Sequence, residues 1–217
     1  DLLSAAHSAQ ATADLRVVVL RSASAMFSAG ADLNDWAEVT PSDARRLSLL
    51  GAKAFQALAD LPCPVVVVLE GAALGGGFEL ALAGDIRIAT TNARLGFPEA
   101  RLGNTPAWGG VPRLTRLVGV GSALDILLTG DPISAGQAER IGIVQRLCDP
   151  QDLETALAAL IDSLLACDTA TQAFIKASFG DRNALIAAQE AAIAGFTATQ
   201  AAASERKQAF LASRRRP

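Results

Sequence analysis

Two glutamates stand out by their surroundings. Glu79 follows three consecutive glycines, Gly75, Gly76 and Gly77, inside the otherwise apolar run 64–83. Glu99 follows Pro98 in the stretch "FPEA". A carboxylate in an apolar run is costly unless it is hydrogen-bonded or used, and glycines weaken the helix they open. The chemistry open to such a pair is proton transfer, one group taking a proton and the other giving one. The remaining inventory narrows the choice. The 217 residues include one histidine, His7, and no tyrosine. A Ser-His-Asp or Cys-His triad would have to use His7, which has no partner motif beside it. Multi-histidine metal sites are excluded, and no metal is expected. Proton transfers therefore fall to carboxylates, and less readily to lysine or cysteine.

The glycines sit between a strand-like segment and a helix-like one, where backbone N–H groups point at whatever occupies the turn. A phosphate-binding loop needs Gly, four residues, then Gly-Lys-Ser/Thr. Gly71 and Gly76 have the spacing, but Gly77 and Phe78 stand where the cation and hydroxyl belong. A dinucleotide fingerprint begins at Gly75 and Gly77 and fails at Leu80. An oxyanion hole remains, in which the N–H groups hold a carbonyl oxygen that becomes negative during reaction. The competing reading is structural: the glycines permit close packing, and Glu79 caps its own helix. The residues alone leave both open.

The elements that must position these groups follow from patterning. "DLLSAAHSAQ" reads as a helix, "RVVVL" (16–20) as a short buried strand and "SASAMFSAGADL" as a loop. "TPSD" opens an amphipathic helix over 41–60 with proline at its first position. "PVVVVLE" (64–70) is a second buried strand, 77–83 a helix, "DIRIAT" (85–90) a strand, and "ARLGFPEARLG" a short strand and turn. From about 109 onward the pattern is nearly all helical, in pieces closed by glycine, with one strand at "IVQRL". Longer helices are expected over "DLETALAALIDSLLA" and 182–212. Strands alternating with helices, then helices alone, make an α/β core with a helical C-terminal region.

Composition sets the outer limits. A chain that is 51% hydrophobic with net charge −3 suits one sizeable core and points to neither a nucleic-acid nor a membrane partner. The run 64–83 is broken by two glutamates and four glycines, which argues against a membrane span. Cys63, Cys148 and Cys167 are odd in number and form no CxxC, so a reducing, cytoplasmic setting is expected. Arg214, Arg215 and Arg216 close the chain and read, by themselves, as a solvated tail.

Taken in order, "AMFSAGADL", "PVVVVLEGAALGGGFELALAGDIRIA", "LGFPEARLG", "GGVPRLTRLVG" and "ALDILLTGDPISAGQAERIGIV" resemble the enoyl-CoA hydratase/isomerase, or crotonase, family. The likeness runs almost without gaps to about residue 147 and more loosely beyond. It implies an α/β fold of stacked ββα turns over 1–147, here lacking the family's N-terminal strands, and a helical region over 148–217 for oligomerisation and CoA-site closure. It implies acyl-CoA thioester substrates, no cofactor apart from the coenzyme A that belongs to the substrate, and a homotrimer or dimer of trimers. The oxyanion donors map onto the N–H groups of Ala31 and Gly76, and the hydratase's two glutamates onto Glu79 and Glu99. Ala29, Ala31, Asp32, Leu33, Asn34, Gly75, Gly76, Trp108, Phe210 and Arg214 map onto the substrate and CoA site. Two glutamates favour hydration of a 2-enoyl-CoA. Trp108 stands where hydratases have a small residue, so it either packs or narrows the acyl pocket. Isomerisation, decarboxylation and a catalytically silent CoA-binding role are the alternatives.

Overall fold

The computed structural model describes residues 1–32 and 41–179. The chain divides into two compact units, Asp1–Ala166 and Cys167–Pro217. The first unit is built around β2 (Val65–Leu69), whose five residues are all buried. A β-branched run with no polar position can only be a strand covered on both faces. β2 lies between β1 (Val18–Leu20) and β4 (Ile86–Thr90), and β7 (Arg146–Cys148) follows beyond β4; all neighbours run parallel. Side chains alternate between the two faces. Val66, Val68 and Ile88 meet Leu153, Leu157 and Leu160 of the helix α6 (Leu153–Leu165). Val67 and Leu69 join Phe78, Leu95, Phe97 and Leu114 in the largest cluster, on the side that carries the two glutamates.

A second sheet holds β3 (Ala72–Leu74), β5 (Arg94–Gly96) and β6 (Ile133–Ser134). β3 and β5 are parallel, while β5 and β6 are antiparallel. The chain therefore lays one strand on each sheet and then a helix. β2 and β3 lead to α3 (Gly76–Leu82), and β4 and β5 lead through a 3-10 turn (Pro98–Leu102) to α4 (Gly110–Thr129). Each repeat places its helix start just beyond the second sheet, which brings the heads of α3 and α4 together. The helices α1 (Leu2–Ala11) and α2 (Pro41–Ala59) share a smaller cluster around Phe55 and Leu58. In the second unit, α7 (Thr169–Ser178) starts at Asp168, whose side chain accepts the Thr171 N–H at 2.9 Å. Among the described residues no helix is long and apolar enough to cross a membrane.

Most expected elements are present, with instructive differences. β1 is an edge strand of the described sheet, with Val19 37% exposed, and is not buried. β3 has no counterpart in the reading of the sequence: "AAL" is too short to show alternation. The strand expected at 143–147 begins only at Arg146, because Ile143 and Val144 N–H both bond the Ala138 carbonyl, at 2.8 and 3.2 Å. That carbonyl belongs to α5 (Ala135–Arg140), which opens with a reciprocal Ser134–Gln137 capping box. The two glycine-closed helices expected after 109 are present: α4 is two helical pieces meeting at a kink at Gly119, where φ is 74° and ψ 167°, and the second closes at Gly130. The helix expected over 182–212 lies outside the described residues.

One buried cation ties the stack. Arg87, in the middle of β4, is 2% exposed. It donates from Nε to the Ile143 carbonyl at 2.6 Å, from Nη1 to Gly84 at 2.7 Å, and from Nη2 to Gln145 Oε1 at 2.9 Å. The guanidinium joins the turn after α3 to the segment entering β7, and burial pushes its pKa down to about 10. Arg87→Met should leave several buried carbonyls unpaired. The expected loss is about 3 kcal/mol or more, roughly 6–12 °C in Tm, read by thermal melting. A melt within about 2 °C of wild type would show that the knot is dispensable.

Candidate active site

The glycine triplet is explained by what each missing side chain would strike. A Cβ on Gly75 would lie 3.0 Å from Glu99 Oε1. One on Gly76 would lie 2.1 Å from Cζ3 of Trp108, and one on Gly77 2.4 Å from the Ser28 carbonyl. The packing reading is therefore correct as far as it goes: three neighbours close in on three bare Cα atoms. Gly75 also has φ 54° and ψ −128°, a turn conformation that side chains disfavour.

The loop after β1 runs along β3. Ser28 N donates to the Ala72 carbonyl at 3.1 Å, and Leu74 N donates to the Ser28 carbonyl at 2.9 Å. This brings Gly30, at φ +92°, so near the turn that a Cβ there would lie 2.8 Å from Gly76 N. The Ala31 N–H, on the peptide after Gly30, and the Gly76 N–H are thus carried by neighbouring stretches of backbone. Gly76 is the first residue of α3, so its helix leaves that N–H unpaired. A Cβ on Gly75 would also approach the Ala29 carbonyl, at 3.9 Å. Asp32 ends the described part of the loop and is exposed. Leu33, Asn34, Phe210 and Arg214 lie outside the described residues.

Glu79 does not cap its own helix. Its carboxylate, on a residue only 2% exposed, crosses to the head of α4. Oε1 accepts the N–H groups of Trp108 and Gly110, each at 2.8 Å, and Oε2 accepts that of Ala107 at 3.4 Å. Burial raises its pKa; the three N–H groups and the charge of Arg113 oppose the rise without cancelling it. Glu99, half-buried in the 3-10 turn, has fewer supports. Burial raises its pKa, its own backbone N–H opposes, and the charge of Glu79 raises it further. Its Oε2 is buried with no hydrogen-bond partner among the described residues. The two carboxyl groups thus differ in their supports: one is held by three N–H donors, while the other has a buried oxygen with no partner among the described residues.

Trp108 lies across the same turn. Its indole covers Gly76 and reaches Gly51 of α2, where a Cβ would stand 2.4 Å from Nε1. Phe55 meets it edge-on, with centroids 5.5 Å apart at 86°. Sequence reasoning singled out Glu79, Glu99, Gly75, Gly76 and Trp108, and these are brought together. It missed the backbone donors of Ala107, Trp108 and Gly110, because a peptide N–H carries no sequence letter. The available signal was the pair Gly109–Gly110 after Trp108: a Cβ on Gly110 would lie 2.6 Å from Cγ of Glu79.

Comparison with known proteins bears on the family and the fold. The sequence model of the family described as "Enoyl-CoA hydratase/isomerase" matches residues 1–216. A short-chain-enoyl-CoA hydratase of Clostridium acetobutylicum is 43% identical over 139 residues, 64% of this chain and 53% of that protein. A crotonyl-CoA hydratase of Syntrophomonas wolfei is 42% identical over 137 residues, 63% of this chain and 53% of that protein. The chain thus spans about half the length of these two relatives. The solved enoyl-CoA hydratase of Bacillus anthracis superposes with a TM-score of 0.90 at 30% identity, over 98% of this chain and 84% of that one. That of Mycobacterium smegmatis gives 0.91 at 28% identity, over 100% and 85%. The fold is the crotonase-like stack of ββα turns.

The carboxyl groups have a consequence for stability. A carboxyl whose folded pKa lies above its unfolded value costs stability once pH passes the ordinary range near about 4.3, and the cost is complete above the folded pKa. Glu99→Gln removes that cost. Its Tm should exceed wild type at about pH 8 and converge with it toward about pH 4. Because Glu99 is half-buried, solvent screening holds the gain to at most about 1 kcal/mol, roughly 2–4 °C. An equal difference at both pH values would contradict the raised pKa.

Proposed function

Because the chain belongs to the enoyl-CoA hydratase/isomerase family, we propose that it hydrates 2-enoyl-CoA thioesters to 3-hydroxyacyl-CoA. The observation that carries this is the unequal pair of carboxyl groups beside the Gly30–Gly76 backbone contact. The thioester carbonyl lies between the N–H groups of Ala31 and Gly76. A water between the glutamates gives a proton to Glu79, which its three donors favour as the ionised base. The hydroxide oxygen bonds to C3, and the C2–C3 π electrons move toward the carbonyl, where the two N–H groups stabilise the enolate oxygen. Glu99, favoured as the protonated acid, delivers its proton to C2. Glu79 then holds a proton and Glu99 a charge, and exchange through solvent restores both. Each oxyanion donor is worth roughly 3–4 kcal/mol in comparable sites, and each acid/base group about 10²–10⁴-fold.

Assembly as a trimer or dimer of trimers, with residues 148–217 serving contact and CoA-site closure, belongs to the same proposal. The Trp108 indole against Gly76 favours a short acyl group, since it occupies the space flanking the proposed oxyanion donor.

Turnover of crotonyl-CoA, longer enoyl-CoA thioesters and a malonyl-type thioester tests the reading directly. Glu79→Gln and Glu99→Gln should each reduce crotonyl-CoA hydration by about 10²-fold or more. The double variant should lose far less than the product, because both groups act in one addition of water. Near-normal hydration in either single variant would remove that residue from the mechanism, and selective loss of a carboxylate from the malonyl thioester would favour decarboxylation. Trp108→Leu should move kcat/KM toward longer chains by about 1–3 kcal/mol per methylene accommodated. An equal fall at every chain length would leave Trp108 as packing alone.

A further inference from the structure

Arg113 occupies an unfavourable place for a cation. It stands in the first turn of α4, the end of a helix that favours negative charge. Its contacts account for the position. Nη1 donates to the Trp108 carbonyl at 2.9 Å, and Nη2 donates to Gln56 Oε1 on α2 at 2.9 Å. The Trp108 carbonyl belongs to the peptide between the two N–H groups that hold Glu79 most closely, those of Trp108 and Gly110. Gly109 follows that carbonyl at φ +93°, and a Cβ there would lie 2.4 Å from Nη1. Only glycine allows the guanidinium to come so near the turn.

We propose that Arg113 is a positioning residue for Glu79: anchored by Gln56, its guanidinium grips the Trp108 carbonyl and so fixes the turn whose N–H groups hold the Glu79 carboxylate. The role rests on the hydration reading above, in which Glu79 is the base. It has two parts. The grip orients the donors, and the positive charge favours the ionised carboxylate. Among the described residues, the charge acting on Glu79 is that of Arg113 from α4, the charge acting on Glu99 is that of Glu79, and Asp60 accepts the Gln56 amide at 2.8 Å. Arg113 is the cation among them, so its removal shifts the balance toward a protonated Glu79.

A plain tie between α2 and α4 would share the contacts but not the electrostatic effect, and the test separates the two. Wild type, Arg113→Lys and Arg113→Met are compared in kcat and KM for crotonyl-CoA across pH. Arg113→Met should lower kcat by about 10-fold or more, within the roughly 10²–10⁴-fold that a base supplies, with KM little changed. The acidic limb of its kcat profile should move to higher pH. Arg113→Lys keeps the charge and loses the fork, so its limb should stay near wild type while kcat falls in part. An unmoved limb, with equal losses in both variants, would overturn the proposal. A second readout is independent of turnover: carbon NMR titration of labelled glutamate carboxyl groups, with Glu79 assigned by its loss in Glu79→Gln. If wild type hydrates no enoyl-CoA but the Glu79 midpoint rises in Arg113→Met, the hydratase reading fails and the positioning role stands. An unmoved midpoint overturns the positioning role whatever the activity. Should Arg113→Met not fold, Gln56→Ala removes one anchor and should raise the midpoint by a smaller amount; no rise there also overturns it.

Discussion

Everything at the site depends on one buried carboxylate finding donors outside its own helix. A side chain as enclosed as Glu79 would cost several kcal/mol if its oxygens went unpaired, whereas a hydrogen bond to a charged group contributes roughly 1.5–3 kcal/mol. The Trp108 and Gly110 N–H groups supply that compensation, and in doing so fix where α4 begins. Because the donors flank Trp108, the same interaction lays the indole across Gly76. A single capture thus sets the proposed base, the start of the helix and one wall of the proposed substrate space.

The stack supplies the distance over which that capture can occur. β2 and β4 are neighbours, as are β3 and β5, so the segments leaving β3 and β5 emerge side by side. The fully buried valine run at 65–68 is what makes this order rigid, since neither face of β2 can be exposed without losing its cover of apolar side chains. Arg87 closes the far side through carbonyls that strands and helices leave over. Within this frame the two glutamates differ in what surrounds them. One carboxyl meets three N–H groups, and the other is partly buried beside a neighbour's charge.

Much of this was legible in the chain because it depends on letters with strong local meaning. Proline at 41, the valine run and the glycines at 119 and 130 announce their elements through backbone preference and hydrophobic pattern. Glu79 and Glu99 were conspicuous because ionisable residues are rare in apolar surroundings. What stayed hidden came from tertiary pairing. β3 exists because Ser28 and β5 flank it, not because "AAL" favours a strand. The late start of β7 follows from two N–H groups drawn to one carbonyl of α5. The donors to Glu79 belong to the backbone, and no pattern of side-chain types reports them.

The three bare Cα atoms at 75–77 have a consequence for how such a site can diverge. Each faces a different element: Gly75 the proposed acid, Gly76 the indole, Gly77 the loop that carries Ser28. The constraints on the three positions are therefore separable. Within the triplet, a smaller residue in place of Trp108 would free room at Gly76, as it would at Gly51 of α2, and Trp108 is not among the neighbours that a Cβ at Gly75 or Gly77 would meet. The proposed acyl wall and the proposed acid thus meet different residues of the triplet. A change at the Trp108–Gly76 pair can therefore be made while the contact between Gly75 and the proposed acid is kept.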